Sequence, residues 1–326
     1  METGIKYHIW QYCGHCGCQP AIGDCFECQT CSLGPQRYLC GRCMKLYERD
    51  EIHHPAKESF HPIAGLHQFK PLIPESRQFT DDWTAIPLPD VQKPQLPRIS
   101  LIRPEFSSPH GGCIAGYGFV VRLNNLSIML TALHVLDPII KTNNVDCSIK
   151  NINHTGDELP ALMLKVNLYD VLETRWVLHL VATCHSMLSL RHARIDVPEP
   201  DASADIAAFE VNDKPVLNPL NLAKNLPQKG DAVWLHVKKE DCGNLISAVV
   251  VECTEQTLIF RFAEINGTEP KYTSGAPLVD RSGKVVGINI GAGRYAGQRF
   301  GHANHVANIR RHLESTNSIS FRSSAY

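Results

Sequence analysis

Thr273-Ser274-Gly275-Ala276-Pro277-Leu278-Val279-Asp280, continued by Gly283-Lys284-Val285-Val286-Gly287-Ile288-Asn289-Ile290-Gly291, sets a turn of small residues against a β-branched run. The turn carries a serine, and Gly275 and Ala276 beside it leave room for another backbone to approach. A serine hydroxyl is a weak nucleophile at neutral pH. It needs a base within hydrogen-bond reach and a third group that fixes the base's tautomer. Two other segments supply those residue types. Gly116-Tyr117-Gly118-Phe119-Val120-Val121 leads to Ile128-Met129-Leu130-Thr131-Ala132-Leu133-His134, with the histidine where the chain leaves a hydrophobic strand. Ser203-Ala204-Asp205-Ile206-Ala207-Ala208-Phe209-Glu210 puts an aspartate just ahead of an apolar strand. Taken singly, each is an ordinary core histidine, strand cap or loop serine. Together, His134, Asp205 and Ser274 follow the chain order of one catalytic triad arrangement. Asp170 is a weaker choice for the acid, because no Asp-Ile-Ala pattern surrounds it.

The surrounding sequence is rich in short β runs: Gly118–Leu123, Ser127–Thr131, Trp176–Ala182, Ile206–Glu210, Ala232–Val237, Ile246–Val251, Thr257–Phe262 and Lys284–Ile290. Asn124-Asn125, Gly230-Asp231 and Ser282-Gly283 punctuate them as turns. Many short strands with few helical stretches predict a mainly β domain, a barrel or sandwich. Ala303–Leu313 reads as one helix, with Val306, Ile309 and Leu313 on a single face. The Ser-rich tail from Glu314 reads as loose, and Asn151–Glu173 as an insertion within the 71-position step from His134 to Asp205.

Upstream, the composition changes. Eight of the 13 cysteines fall between Cys13 and Cys43. They include the pairs Cys13/Cys16, Cys25/Cys28 and Cys40/Cys43, with His53, His54 and His61 following. A Cys-x-x-Cys turn presents two thiolates to one side of a tetrahedral zinc ion. The three pairs with His53 and His61 predict two structural zinc ions; Cys18, Cys31 and His54 are alternates, and Cys28/Cys31 is a competing pair. About 60 residues could hardly build a core alone, so metal would supply the folding free energy. The remaining cysteines (Cys113, Cys147, Cys184, Cys242 and Cys253) read as small buried hydrophobes. Residues 67–105 hold Pro71, Pro74, Pro87, Pro89, Pro94, Pro97 and Pro104, the composition of a semi-rigid linker or an ordered strap. The expected organisation is a double-zinc domain at 1–66, a Pro-rich linker at 67–105, a β domain at 106–315 and a tail at 316–326.

These motifs resemble two known families. The Leu130-Thr131-Ala132-Leu133-His134-Val135, Ala204–Val211 and Ser274–Gly291 runs, in that order, resemble the chymotrypsin-like serine peptidases, nearer the high-temperature-requirement type than the secreted digestive type. The closing Phe300–Leu313 segment is similar to that group's last strand and helix. The resemblance spans roughly 200 residues. It implies two six-stranded β-barrels, a triad in the cleft between them, attack of Ser274 on a peptide carbonyl, and no cofactor for catalysis. It also implies an oxyanion hole from the backbone N–H groups of Ser274 and Tyr272, and a primary pocket at Thr268, Asn289, Gly291 and His302. Tyr272 departs from the family, which has glycine there. A bulky residue at that point implies a strained turn, a hole that collapses until substrate binds, or lost activity. Thr268 is not acidic, which disfavours a basic P1 side chain. The segment around Gly34–Cys43 with its histidines resembles cross-brace zinc modules of the ZZ and B-box type, departing from them in histidine spacing. That likeness implies a module that binds protein tails or partner proteins.

The rest of the composition narrows the reading. Lys plus Arg total 32 and Asp plus Glu 33, giving a net charge of −1. That balance offers no global attraction for nucleic acid, and no C2H2 zinc-finger spacing is present. At 326 residues, with 43% hydrophobic residues, the chain supports about two folded domains. No apolar run approaches the roughly 18 residues of a membrane span. Close cysteine pairs without a secretory signal point to metal in a reducing compartment, the cytoplasm or nucleus. Two functional readings result. One is an intracellular serine endopeptidase acting on polypeptides, recruited by its zinc module. The other is an inactive protease-like adaptor that binds proteins through module and barrel.

Overall fold

The computed structural model describes residues 7–8, 11, 13–16, 21–22, 24–29, 38–52, 54, 67–72, 82–108, 111–123, 125–136, 165–171, 178–190, 193, 202–211, 217–239, 243–263, 273–295 and 297–314. The chain divides into two compact units, Met1–Thr84 with Ala292–Phe300, and Ala85–Gly291 with Gly301–Tyr326. Among the described residues no helix is long and apolar enough to cross a membrane.

The first unit opens with a short ladder, β1 (Tyr7–His8) against β2 (Ala21–Ile22). A second sheet has β3 (Cys25–Cys28) between β4 (Tyr38–Cys40) and β5 (Phe69–Pro71). A helix, Gly41–Glu48, follows β4 directly. Leu39, Cys13, Cys40 and Cys43 form the buried cluster, with Met44, Tyr47, Ile52 and Phe69 packed against it. Three of those four buried residues are thiols, so hydrophobic burial alone supplies little stabilisation here. The sheet takes in Phe69–Pro71, and the Leu72 N–H bonds the Cys25 carbonyl at 2.8 Å. Residues 67–72, expected within the Pro-rich linker, thus stand alongside the Cys/His-rich strands.

The second unit begins with an extended strap. Lys93 donates to the Leu245 carbonyl (3.2 Å), and Asn218 donates to the Arg98 carbonyl (2.7 Å). Ser100 pairs with His236 at 3.1 Å, and Arg261 bonds the Ile86 carbonyl. Next comes a seven-stranded sheet built from β6 (Arg103–Ser108), β7 (Gly111–Ile114), β8 (Phe119–Leu123), β9 (Leu126–Thr131), β10 (Lys165–Val171), β11 (Leu178–Met187) and β12 (Ala207–Val211). Its spatial order is β7-β6-β10-β11-β12-β9-β8. Phe106, Phe119, Met129, Leu168, Cys184 and Phe209 fill its core with essentially no exposure.

A closed six-stranded barrel follows: β13 (Ala232–Lys239), β14 (Gly243–Cys253), β15 (Leu258–Phe262), β16 (Pro277–Val279), β17 (Val285–Tyr295) and β18 (Gln298–His305). The C-terminal helix, Val306–Glu314, leaves β18 without a break. The mainly β class and the closing helix match the sequence reading; counted over the described residues, the sheet of β6–β12 has seven strands where six were implied.

Three local expectations change. Part of the expected insertion is β10, an inner strand paired with both β6 and β11. Its inward positions are Val166, Leu168 and Asp170, and the buried aspartate disguised the alternation. Ala303–His305 are strand rather than helix, which begins at Val306; Val306, Ile309 and Leu313 are all buried. Cys113 and Cys253 are half-buried rather than core, while Cys184 is fully buried. Cys147, Cys242 and the tail from residue 315 lie outside the described residues, as does the rest of 151–173 beyond Lys165–Val171.

Candidate active site and metal centres

Strand register brings His134 and Asp205 together. β12 pairs antiparallel with β9, Ala207 opposite Thr131 and Ala208 opposite Leu130. Continuing that register places Asp205, two residues before β12, beside the residues two and three past Thr131. A 3-10 turn, Leu133–Leu136, holds the histidine there. The His134 N–H donates to Asp205 Oδ1 at 3.0 Å, and its Nδ1 meets Oδ2 at 2.6 Å. Asp205 is buried and His134 partly exposed. Burial pushes the Asp205 carboxyl up, but the His134 ring and the N–H groups of His134 and Leu133 outweigh it and hold the carboxyl below its ordinary value. The carboxylate thus fixes Nδ1 as the donor and leaves Nε2 as the basic atom. Asp170 is committed elsewhere, 2.5 Å from Lys238 Nζ.

Ser274 is set by the β16–β17 ladder. Pro277 pairs with Ile288, and the Gly275 N–H donates to the Asn289 carbonyl at 2.8 Å. Gly275 has φ +83°, and the Ala276 N–H closes the turn on the Thr273 carbonyl at 3.1 Å. The Ser274 hydroxyl donates to the Ile290 carbonyl at 3.0 Å, a resting orientation from which side-chain rotation is needed to reach a base. Gly116 and Tyr117 tie this turn to the histidine. The Tyr117 N–H donates to the Ser274 carbonyl at 2.8 Å. A Cβ on Gly116 would lie 2.6 Å from Val135 Cγ1 and 2.7 Å from the Ser274 carbonyl oxygen. Gly116 (φ +59°) therefore sits between the neighbour of His134 and the backbone of Ser274. Arg103 caps the junction, donating to the Gly116 carbonyl at 2.6 Å with its guanidinium 3.7 Å over the Tyr117 ring. None of these supporting contacts was read from the sequence; the positive-φ glycine in Gly116-Tyr117-Gly118 was the available signal.

Of the expected pocket and oxyanion residues, Thr268 and Tyr272 lie outside the described residues. Gly291 and His302 are adjacent, since a Cβ on Gly291 would lie 2.7 Å from His302 Nε2. Asn289 is fully buried, and its amide donates to both the carbonyl and the hydroxyl of Thr273, each at 3.1 Å. Its side chain is directed to the nucleophile turn.

Two donor groups stand out in the first unit. Cys13, Cys16, Cys40 and Cys43 place their sulfurs within 4.8 Å of one another. The Cys16–Cys40 separation is 3.9 Å, against roughly 3.8 Å between thiolates sharing a tetrahedral zinc. The second group is Cys28, His54 and His67. Cys28 Sγ lies 3.4 Å from His67 Nδ1, and both ring nitrogens of buried His54 have no hydrogen-bond partner among the described residues. Burial, then the neighbouring His67, lowers the His54 pKa to about 4, keeping the ring neutral as a ligand must be. These donor sets fit zinc. Cys25 belongs to neither group; burial pushes its thiol up to about 12. Among the described residues, the two donor groups thus leave out the expected Cys25 and include the alternate His54 and His67, a histidine that sequence reasoning missed. Cys18, Cys31, His53 and His61 lie outside the described residues.

Residues 116–288 match the family described as the trypsin-like peptidase domain. Among solved structures, the active form of the Rv3671c protease from M. tuberculosis is 18% identical, covering 74% of this chain and 92% of that one, with a TM-score of 0.40. A serine endoprotease from Yersinia pestis is 15% identical, covering 66% and 62%, with a TM-score of 0.40. No curated protein sequence matches the chain.

Proposed function

The chain belongs to the trypsin-like peptidase domain family, and on that footing we propose that it is a serine endopeptidase working through Ser274, His134 and Asp205. The observation that carries this reading is the buried Asp205 carboxylate bonded twice to His134, at 3.0 and 2.6 Å. A buried carboxylate is costly unless it is paired and hydrogen-bonded, and here both bonds go to the histidine whose ring it would orient as a base.

In the proposed reaction, Ser274 Oγ leaves the Ile290 carbonyl and turns to His134 Nε2. It attacks the scissile carbonyl carbon as its proton passes to Nε2. Asp205 stabilises the resulting imidazolium without itself taking the proton. Backbone N–H groups at Ser274 and Tyr272 receive the oxyanion. His134 then protonates the leaving amine. Water, deprotonated by the same nitrogen, cleaves the acyl-enzyme and regenerates Ser274. Gly291 and His302 line the P1 side of the site in this reading.

In the same proposal the N-terminal unit would hold two structural zinc ions. Cys13, Cys16, Cys40 and Cys43 would close the first. Cys28, His54 and His67 supply three ligands of the second, and Cys31 completes it through its Cys-x-x-Cys spacing from Cys28. The ligand pairs then alternate along the chain between the two ions, in cross-brace fashion. Residues 1–72 act as a unit that recruits a polypeptide substrate or partner. The bond from Ser274 to Ile290 favours a second reading, a barrel retained for binding alone.

Turnover of a fluorescein-labelled unfolded protein separates the two. Zinc-loaded wild type is expected to cleave it, and Ser274→Ala, His134→Ala and Asp205→Ala to be inactive. Equal, background cleavage by all four folded proteins would leave the binding reading in place.

A further inference from the structure

The C-terminal helix and the strand before it bury an unusual set of polar side chains. Asn304, His305, Asn308 and His312 are all at least 95% inaccessible. Burying such groups is unfavourable unless they are hydrogen-bonded, so their partners explain their presence. His305 and Asn308 reach the β14–β15 connection, at the carbonyls of Glu255 (3.0 Å) and Gln256 (3.3 Å). Asn304 and His312 reach in another direction and converge on one atom. Asn304 Nδ2 donates to the Ser203 carbonyl at 3.2 Å, and His312 Nε2 lies 2.7 Å from the same oxygen. A carbonyl can only accept, so His312 carries its proton on Nε2.

Ser203 is two residues before Asp205. Residues 202–204 form a turn, Ala202 and Ala204 are buried, and the Ile206 N–H bonds the Ala204 carbonyl at 3.0 Å with Asp205 between them. Ile309 and Leu313, on the same helix, join one core cluster with Ala202, Ile206 and Leu133. The doubly held Ser203–Ala204 peptide thus ties the turn before the carboxylate to β18 and the C-terminal helix.

We propose that Asn304 and His312 are positioning residues for Asp205, holding the Ser203 carbonyl so that the carboxylate meets both donors of His134. This deepens the endopeptidase reading and rests on it for its catalytic consequence. The geometric consequence is independent of turnover. A carboxylate released by even 1 Å loses the 2.6 Å bond that fixes the His134 tautomer, although neither Asn304 nor His312 touches substrate.

The test compares His312→Gln, which keeps an N–H donor near Nε2, with His312→Met, which fills similar volume without one. Two readouts are used: the far-downfield proton resonance of His134 Nδ1–H, assigned by its absence in His134→Ala, and kcat with KM for the labelled unfolded protein. His312→Met is expected to shift or abolish the resonance. Its kcat should fall about tenfold to hundredfold with KM little changed, because misplacement acts on the chemical step. His312→Gln should restore most of both. A folded His312→Met with wild-type resonance and kcat would overturn the proposal, as would equal losses in the two variants. Should His312→Met fail to fold, Asn304→Leu removes the other donor and is read in the same way. A wild type with the resonance but no turnover would defeat the endopeptidase reading, and the resonance would still decide the clamp.

Discussion

Gly275→Ala is the most informative single-residue perturbation of the nucleophile turn. Gly275 has φ +83°, a conformation costing an L-residue about 1–2 kcal/mol. An added Cβ would overlap the Tyr117 carbonyl oxygen and the Thr131 hydroxyl, with the Tyr117 carbonyl carbon only 3.1 Å away. Thr131 Oγ1 donates to that carbonyl at 2.7 Å in a buried site, and losing the bond costs about 1 kcal/mol. Tyr117 cannot retreat freely, because its N–H holds the Ser274 carbonyl and its hydroxyl donates to the Lys238 carbonyl at 3.0 Å. Overpacking against fixed backbone adds about 1–3 kcal/mol. The expected loss is therefore about 3–6 kcal/mol, the sum of these contributions. Urea denaturation at matched zinc occupancy measures it. The labelling rate of Ser274 by a fluorophosphonate, taken on the folded fraction, should fall as well. A loss below about 1 kcal/mol with unchanged labelling would refute the claim that Gly275 is packed against Tyr117 and Thr131.

Asp170→Asn should cost about 3 kcal/mol by stranding the mostly buried Lys238, yet leave Ser274 labelling intact; labelling lost at full folding would return Asp170 to the triad. Zinc content by mass spectrometry should be unchanged in Cys25→Ala and lower by one ion per chain in Cys40→Ser, since only Cys40 lies in a donor group; a zinc loss with Cys25→Ala would overturn that division. Burial, aided by Arg311 and partly opposed by backbone hydrogen bonds, lowers the His305 pKa from 6.5. As pH falls below about 6.5 the unfolded chain takes up the proton before the folded one does. The His305 contribution is thus complete above that pH and is lost on acidification. Denaturation midpoints of wild type and His305→Gln across pH 5 to 8, roughly the histidine range, should converge toward the acid end. Parallel curves would show that His305 titrates alike in both states.

What the sequence revealed depended on how local the signal was. β8, β9, β12, β13 and β15 were readable because each is an apolar run bounded by turn residues. β10 was hidden by Asn167 and Asp170, polar residues whose partners, Glu105 and Lys238, come from distant strands. β6 begins Arg103-Pro104 at the end of the proline-rich stretch, and Gly287 with Ala303 gave no hint that β17 and β18 run so long. The His134, Asp205 and Ser274 positions were legible because each lies in a short motif at the end of a strand. Their supports were not: Gly116, Tyr117, Asn304 and His312 act through register and tertiary packing that no local pattern encodes. The candidate metal donors divide likewise. Cysteine pairs point to zinc, but the grouping of His67 with Cys28 and His54, and of Cys25 with neither donor group, follows from how β3, β4 and β5 lie together.

Activation of Ser274 by the His134–Asp205 pair is tested most directly by titrating the zinc-loaded full chain with a fluorophosphonate, followed by peptide mapping of the adduct. One adduct per chain is expected, on Ser274, with labelling abolished in His134→Ala and strongly slowed in Asp205→Asn. Unlabelled wild type, an adduct on another residue, or labelling indifferent to His134 would contradict it.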